Sequence, residues 1–407
     1  MRRVVITGMG IYSCLGKNLH EVKDSLYAGK SGIIYSQELK DMGFRSALTA
    51  DLTRPDLKGL LDRRARMSMA EQAEYAYMAT IEALKNAKVD EQYLTDHEVG
   101  VIYGNDSSAR ATVEQNEIFK AKKDTMLIGS GYIFQSMNST VTMNLSTIFK
   151  LRGINMTISS ACASGSHSVG MAYLLISQGM QDMVIAGGAQ ELNHFAFASF
   201  DALGAFSIRE SEPTKASRPF DKDRDGLIPS GGGASLVIES LESAQKRGAT
   251  ILGEIIGMGF SSNGEHISQS NISGPSRSIE MALKSSGIAL NEIGYINAHA
   301  TSTPNGDANE AQALLKIFGN NCPPVSSTKS MTGHECWMSG ASSIVYSMLM
   351  MQNDFIAPNI NFETPDENTK GLPVAATTMN RKFNVFLSNS FGFGGTNSTI
   401  LVRKFEK

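Results

Sequence analysis

The sequence lacks the residue patterns that mark several protein classes. Its 407 residues include only four cysteines, Cys14, Cys162, Cys322 and Cys336, and their spacing is not that of a zinc ribbon or a secreted disulfide framework. No apolar run is long enough to span a bilayer, and a formal net charge of −3 provides no positive field to attract nucleic acid. We therefore expect a cytoplasmic protein that binds neither membranes nor nucleic acid.

The chain does contain a regular alternation of two apolar patterns. Short apolar runs bounded by glycine or polar turns, such as residues 3–8 and 99–103, alternate with helical patterns such as residues 68–88. Buried strands that alternate with helices are typical of α/β proteins with parallel or mixed sheets. The pattern predicts an α/β fold.

One apolar run is repeated. Residues 4–11, VVITGMGI, resemble residues 253–260, GEIIGMGF, as if each half of the chain opened with the same strand. We predict two halves, residues 1–250 and 251–407. Residues 209–233, rich in charge, proline and glycine, are expected to form an ordered loop.

Cys162 is the best candidate for a nucleophile. It lies between a strand-like run and a stretch of small residues that begins a helix. The positive end of that helix would lower the pKa of the thiol and favour the thiolate. An inert buried cysteine is the alternative interpretation.

Two histidines lie at the ends of predicted elements. His299 directly follows a strand, and His334 precedes a helical run. Loops after strands gather polar chemistry in α/β enzymes, so both histidines can meet one cysteine. A structural role is the alternative for each. They lack HExxH spacing and a nearby acidic cluster, so no metal site is predicted.

Five segments resemble those of the elongating β-ketoacyl-acyl-carrier-protein synthases, in order and along essentially the whole chain. They are ISSACASGS at 158–166, SRPFD with RDG at 217–226, NAHATSTPNGDANE at 297–310, SSTKSMTGH at 326–334 and SNSFGFGGTN at 388–397. The resemblance implies a thiolase-like, five-layered αβαβα fold with two pseudo-duplicated halves. The first half would carry the cysteine and the second both histidines, and the enzyme would be a homodimer.

The resemblance also implies a reaction and a set of roles. Cys162 would accept an acyl group, and malonyl-acyl-carrier protein would lose carbon dioxide and attack it, as in fatty-acid biosynthesis. His299 and His334 would donate hydrogen bonds to the enolate, and Lys329, paired with Glu310, would keep His334 neutral. The backbone N–H groups of Cys162 and Phe393 would form a second oxyanion site, and the Phe393 ring would act as a gate.

The implied partner is acyl carrier protein, which brings its own phosphopantetheine, so no other cofactor is expected. Thr301 and Thr303 are expected to bind the pantetheine arm, although capping of the next helix is an alternative. Arg63, Arg64 and Arg66 form a basic cluster suited to an acidic carrier, although a solvated face would look the same.

Two positions depart from the family pattern. Trp337 stands where a glycine is usual, either as a core filler or as a determinant of substrate choice. Ser343 stands where members often carry a glutamate that helps to hold a monovalent cation, so that ion is not predicted. Trp337 suggests a related synthase that elongates conjugated chains in a polyene or polyketide pathway, with a preference for unsaturated acyl groups.

Three other functions are weighed against this one. A noncatalytic chain-length factor shares the fold but usually lacks the cysteine. A biosynthetic thiolase would use a second cysteine as base. A dinucleotide-binding oxidoreductase is suggested by Gly8-Met9-Gly10, but Ser13 occupies the third glycine position of that fingerprint.

Overall fold

The structure, a computed structural model, describes residues 1–406. The strands are β1 Val4–Tyr12, β2 Ile33–Tyr35, β3 Leu48–Ala50, β4 Val99–Gly104, β5 Asn155–Ile158, β6 Met183–Gln190, β7 Gly232–Ser240, β8 Gly253–Ser262, β9 Tyr295–Asn297, β10 Val325–Ser326, β11 Val385–Phe391 and β12 Thr396–Arg403. The helices are α1 Leu19–Ala28, α2 Gln37–Asp41, α3 Arg63–Ser68, α4 Glu71–Ala87, α5 Glu91–Asp96, α6 Ala109–Lys122, α7 Tyr132–Gln135, α8 Thr140–Ile148, α9 Ser164–Ser177, α10 His194–Ala202, α11 Leu241–Lys246, α12 Ser273–Ser286, α13 Pro304–Phe318, α14 Lys329–Thr332 and α15 Ser339–Gln352. Short 3₁₀ helices include Ala161–Ala163, Cys336–Met338 and Phe393–Gly395.

Two groups of five strands have the same topology. The first has the order β5-β4-β6-β7-β1 and the second the order β10-β9-β11-β12-β8. When the strands of each group are numbered in chain order, the same number occupies the same position in both groups. In each group the two inner pairings next to the opening strand are antiparallel and the other two are parallel. The halves are therefore pseudo-duplicates, and the predicted fold class is confirmed.

The opening strands join the two groups into one sheet of ten strands. Val4, Val5 and Ile6 of β1 pair antiparallel with residues 253–255 of β8. The connection between the two groups runs from the end of β7 to the start of β8 and includes residue 250. The division into domains at that residue stays a prediction.

The helices form three layers around the sheets. α9 and α15 pack on each other and contact strands of both groups, so they form the middle layer. α4 covers β1 and β7 on one outer side, and α12 covers β8 and β12 on the other. Each group thus has both faces covered, which explains why its strands are apolar throughout rather than alternating. The middle layer positions the candidate site.

The repeated Gly-Met-Gly has a packing cause. A side chain on Gly8 or Gly10 would overlap the backbone of α4, and one on Gly257 or Gly259 would overlap the backbone of α12. Both glycine pairs lie within a strand, and no phosphate-binding turn follows β1's Gly-Met-Gly, because β1 continues to Tyr12. The fingerprint of a dinucleotide-binding oxidoreductase is therefore absent from this position.

The proline-rich loop between α10 and β7 is ordered, as predicted. Arg218 forms a buried ion pair with Asp221 at 2.9 Å, and its backbone N–H donates to Ser302 Oγ at 3.0 Å. Ser217 Oγ donates to the Lys329 carbonyl at 2.7 Å. The loop thus fixes two segments that carry candidate site residues. Among residues 1–406, no helix has the length and apolar character needed to cross a membrane.

Candidate active site

Cys162 lies in a tight turn between β5 and α9. Ala161, just before it, has a left-handed φ of 47°, and its N–H donates to Asp106 Oδ2 at 2.9 Å. Ser164 closes the turn by accepting the N–H of Ser160 at 2.8 Å. The strained residue is therefore anchored on both sides, and the thiol is held at the start of the central helix, where the sequence predicted it.

The structure brings His299 and His334 to this cysteine. The Cys162 Sγ and one ring nitrogen from each histidine all lie within 4.8 Å of one another. The two rings are nearly perpendicular, with centroids 5.4 Å apart. All three side chains are buried. One thiol and two imidazoles thus face a single small volume.

Glu310 holds the loop of His299 rather than pairing with Lys329. Its carboxylate accepts the backbone N–H of His299 at 2.9 Å, that of Ala300 at 2.7 Å and the side-chain amide of Asn389 at 2.9 Å. Within residues 1–406, Lys329 Nζ makes no hydrogen bond. The predicted direct ion pair is therefore wrong, because three N–H donors occupy the carboxylate. Its charge acts on Lys329 only through space.

His334 is fixed through its backbone. Its N–H donates to the Ile228 carbonyl at 2.7 Å, and its own carbonyl accepts the N–H of Ser230 at 3.1 Å. These bonds pair His334 with the end of the proline-rich loop in a short parallel bridge. These backbone bonds hold the residue in place, and within residues 1–406 the ring nitrogen Nδ1 makes no hydrogen bond.

Both imidazoles are neutral in this environment. Burial lowers the pKa of His299 and of His334 well below the usual range, and the charge of Lys329 lowers each pKa further. Nδ1 of each ring is buried without a partner among residues 1–406. A proton on that nitrogen would be an unsatisfied donor, so the proton is favoured on Nε2. This environment favours two neutral N–H donors, and their role in a reaction stays a prediction.

The thiol differs from the prediction. Burial raises the pKa of Cys162 to about 11, although the Phe393 N–H and the Lys329 charge act in the opposite direction. The sequence predicted a lowered pKa from the helix start. Desolvation of the thiolate outweighs that effect because the Cys162 side chain is buried. The free enzyme therefore holds a thiol at neutral pH.

This raised pKa predicts the pH dependence of alkylation. A group with a pKa of about 11 is almost wholly protonated at pH 7, and its thiolate fraction grows about tenfold per pH unit below the pKa. The rate of Cys162 alkylation by iodoacetamide should therefore rise steadily between neutral pH and pH 10. Intact-protein mass spectrometry measures it, with Cys162→Ala as the blank. A rate that levels off near pH 7 would contradict the raised pKa.

The three groups open into a cavity of about 450 Å³. Besides Cys162 and the histidines, its polar lining includes Thr301, Thr303, Ser268, Ser270 and Asn309. The two threonine hydroxyls are 3.1 Å apart. Thr303 lies at the N-cap position of α13, but its hydroxyl contacts that of Thr301 and makes no capping hydrogen bond. The capping alternative is therefore not adopted by Thr303.

Phe393 lies in a glycine-rich loop over the cysteine. Gly394 and Gly395 adopt left-handed φ values of 75° and 74°, which permit the sharp turn. The Phe393 ring stacks on Phe200 of α10, with centroids 6.0 Å apart. Phe200 also lines the cavity, but the sequence analysis did not identify it. In the sequence, the only feature that marks Phe200 is the aromatic-rich segment His194-Phe195-Ala196-Phe197 that precedes it.

The remaining predicted positions lie outside the cavity. Arg63 and Arg64 are exposed and Arg66 is half-buried on α3, and none of them lines the cavity of Cys162. Trp337 is buried, and its Nε1 donates to Ser107 Oγ at 3.1 Å. It belongs to the apolar cluster that contains Cys162. Cys336 donates to the His334 carbonyl and does not line the cavity, so no second cysteine is placed as a base.

A thiolate and two imidazoles are donors that zinc prefers, so their fit to a metal can be tested. Metal bound at Nε2 would force each ring proton onto Nδ1. That atom has no acceptor among residues 1–406 in either ring, whereas metal-bound histidines almost always donate from the second nitrogen. The buried charge of Lys329 is a further cost for a cation. The arrangement suits hydrogen-bond donation better than metal binding.

The chain matches two family models. They are the β-ketoacyl synthase N-terminal domain over residues 1–244 and the β-ketoacyl synthase C-terminal domain over residues 252–363. A relative named 3-oxoacyl-(acyl-carrier-protein) synthase 1, from Escherichia coli K12, is 41% identical over 409 residues that cover 100% of both chains.

Solved structures are similar over the full length. A β-ketoacyl synthase from Burkholderia phymatum superimposes with a TM-score of 0.93 and 34% identity, covering 100% of each chain. A type II PKS ketosynthase, solved in complex with its acyl-carrier protein, superimposes with a TM-score of 0.89 and 28% identity, also covering 100% of each chain. By these matches and by its geometry, the chain belongs to the β-ketoacyl synthase family.

Proposed function

We propose that this protein condenses an acyl group bound to Cys162 with malonyl-acyl-carrier protein, releasing carbon dioxide and forming β-ketoacyl-acyl-carrier protein in fatty-acid biosynthesis. One observation carries the proposal: a buried thiol and two neutral imidazoles lie within 4.8 Å of one another and line one cavity. A nucleophile and a pair of fixed N–H donors are what this two-step reaction needs.

In the first step the Cys162 sulfur attacks the carbonyl carbon of an acyl thioester. The new S–C bond forms, the bond to the pantetheine sulfur breaks, and the thiol proton passes to the departing sulfur. The backbone N–H groups of Cys162 and Phe393 both approach the Cys162 sulfur. They are suited to stabilise the oxyanion at the carbonyl attached there.

In the second step the bond between the malonyl carboxylate and its α-carbon breaks. Carbon dioxide leaves, and the electron pair moves into the thioester as an enolate. The Nε2–H groups of His299 and His334 stabilise the enolate oxygen, and burial, together with the charge of Lys329, lowers the pKa of both rings and keeps them neutral. The enolate carbon then attacks the acyl carbonyl, and the Cys162 sulfur leaves as a thiolate. That thiolate takes up one proton from solvent, which restores the thiol of the free enzyme.

A noncatalytic chain-length factor remains the different-class alternative. The presence of Cys162, the buried donors and the open cavity favour a catalyst. The test is a single assay of the purified protein with acyl-carrier and malonyl-carrier substrates. We expect β-ketoacyl-acyl-carrier protein and carbon dioxide in equal amounts. If neither product forms, while acyl chains also fail to label the protein, the noncatalytic function replaces this one.

The proposed partner is acyl carrier protein, which brings the phosphopantetheine that Thr301 and Thr303 are suited to bind. The wall of hydroxyl and amide groups near these threonines offers hydrogen-bond partners for the two amides of that arm. No resident cofactor is part of the proposal. A cytoplasmic location, favoured by the sparse unpaired cysteines, stays a prediction.

Charge reversal tests the docking role of the arginine cluster. Arg63→Glu with Arg64→Glu should raise the KM for carrier-bound substrates several-fold, because an acidic carrier would meet repulsion, and the effect should fade at high salt. Steady-state kinetics at two ionic strengths measure it. The matched control reverses Lys284 and Lys370, which are exposed elsewhere. Equal KM values in both double variants would assign the cluster to a solvated face.

We also propose that the protein is a homodimer. Seven large apolar side chains are 37–86% exposed on one stretch of the first half: Val113, Phe119, Met126, Leu127, Ile133, Phe134 and Met137. In addition, β5 is an edge of the ten-stranded sheet with no neighbour on one side among residues 1–406. Exposed apolar surface and an open strand edge are each unfavourable to leave in water, and a second copy of the chain would cover them.

A further inference from the structure

The turn that holds Cys162 occurs a second time in the protein. A 3₁₀ helix, Cys336–Met338, leads into α15 just as Ala161–Ala163 leads into α9. Each turn opens with a non-glycine residue of left-handed φ, 47° at Ala161 and 43° at Cys336. The second residue of the first turn is Cys162, and the second residue of the other turn is Trp337. Trp337 therefore occupies the position equivalent to the nucleophile.

The two turns also pack against each other. A side chain on Gly165 would collide with the carbonyl of Trp337, and a side chain on Gly340 would collide with the backbone of Ser166. These glycines have equal places in the two turns, two residues after the 3₁₀ helix ends. The close approach fixes Trp337 relative to Cys162, since neither backbone can shift without overlap.

The indole ring is locked as well. Its Nε1 donates to Ser107 Oγ at 3.1 Å, and Ser107 lies in the loop after β4. β4 and β9 have equal places in the two groups of strands, and the loop after β9 carries His299. Trp337 therefore contacts the loop after β4 in the first half, just as Cys162 lies close to His299 in the loop after β9 in the second half. A buried ring with its only polar atom satisfied has little freedom to turn.

A group of aromatic rings packs around Phe200, which lines the cavity beside Cys162. Phe200 is the centre of this group, with centroids 6.0 Å from Phe393, 6.2 Å from Phe206, 6.1 Å from Phe197 and 6.4 Å from Trp337. Phe200 is nearly parallel to Phe393 and to Phe206, with interplanar angles of 19° and 7°. Cys162 belongs to the same apolar cluster.

The cavity lining therefore suits different parts of a substrate. The hydroxyl and amide groups of the cavity suit the amides of a carrier arm. The apolar side chains beside Cys162, among them Phe200 and Phe393, suit the acyl group. Trp337 does not line the cavity itself, but its locked ring packs against Phe200 and so limits where the Phe200 ring can move.

We propose that Cys162 carries a flat, conjugated acyl chain, and that Trp337, locked by Ser107, selects it over a saturated chain of equal length. The inference rests on the proposed condensing function and adds its substrate class. A conjugated chain presents a π-face to the aromatic rings and has few bonds to freeze on entering a narrow slot. A saturated chain loses rotational freedom at every bond. Trp337 is then a specificity-determining residue.

The test compares carrier-bound acyl chains of equal carbon number, one all-trans conjugated and one saturated. The wild-type protein should show the higher kcat/KM for the conjugated chain. Trp337→Gly should reduce the ratio of the two constants about tenfold, mainly by improving the saturated chain. Trp337→Phe, which keeps a flat ring, should retain most of the preference. An unchanged ratio in Trp337→Gly, or a wild-type preference for the saturated chain, would overturn the inference.

Two further measurements separate the possible failures. Ser107→Ala keeps the indole but removes its anchor, so it should lower the ratio by a smaller factor even if Trp337→Gly folds poorly. Decarboxylation of malonyl-carrier protein does not involve the acyl chain. If the wild-type protein neither decarboxylates nor condenses, the proposed function has failed. If it condenses both chains equally well, only the substrate class has failed.

Discussion

Cys162→Ala is expected to abolish formation of the acyl-enzyme while the fold stays intact. The substitution removes only the sulfur, and alanine fits the small-residue turn on either side of it. We expect a loss of stability of about 1 kcal/mol, typical of a small truncation at a buried site. Intact-protein mass spectrometry after incubation with acyl-acyl-carrier protein should show no adduct, and circular dichroism should show an unchanged spectrum.

The other cysteines provide the control for this experiment. Cys322 is partly exposed and lies far from the cavity lining, so Cys322→Ala should acquire the acyl group at the wild-type rate. An adduct that persists in Cys162→Ala would mean that another side chain is the nucleophile. The histidines would then have to be reassigned as well, because their proposed task depends on an acyl group at that sulfur.

The second large effect is expected at the two histidines. His299→Ala or His334→Ala should lower malonyl decarboxylation and condensation about 10²- to 10³-fold, the usual cost of one lost oxyanion donor. Acyl transfer to Cys162 should continue, because the N–H groups proposed for that step belong to the backbone. Rapid-quench mass spectrometry measures acylation, and release of labelled carbon dioxide measures decarboxylation.

The control for this pair is His97→Ala, which removes an exposed imidazole on the first half and should leave both rates unchanged. A different pattern would contradict the proposed division of labour. If either active-site variant stopped acylation but left decarboxylation unimpaired, the histidines would serve the first step instead of the second.

The fold was predictable because the same packing requirement, the close approach of a helix to a strand, occurs in both halves of the chain. Gly8 with Gly10 and Gly257 with Gly259 allow a helix to approach a strand, and that requirement leaves a visible repeat in the sequence. The candidate site was predictable for a similar reason. Cys162 and His299 both follow strands, where loops of an α/β protein converge.

Other features depend on contacts between distant residues and left no local signal. Burial, which the sequence does not display, sets the pKa of Cys162 above its usual range and so reverses the expected shift. The partners of Glu310 come from two separate segments, His299 with Ala300 and then Asn389, whereas the family resemblance suggested Lys329. The role of Phe200 emerges only when α10 packs beside the glycine-rich loop.

The late position of both histidines in the sequence determines when the reactive centre can exist. A ribosome that adds 5–20 residues per second completes the second half roughly 10–30 s after residue 250 has been made. Until α15 has been made, the emerging polypeptide has an uncovered face on α9. Exposed apolar surface of this kind makes nascent chains prone to associate, which is the hazard that chaperones counter. The same delay has a benefit, since the thiol stays apart from both imidazoles until translation is nearly finished.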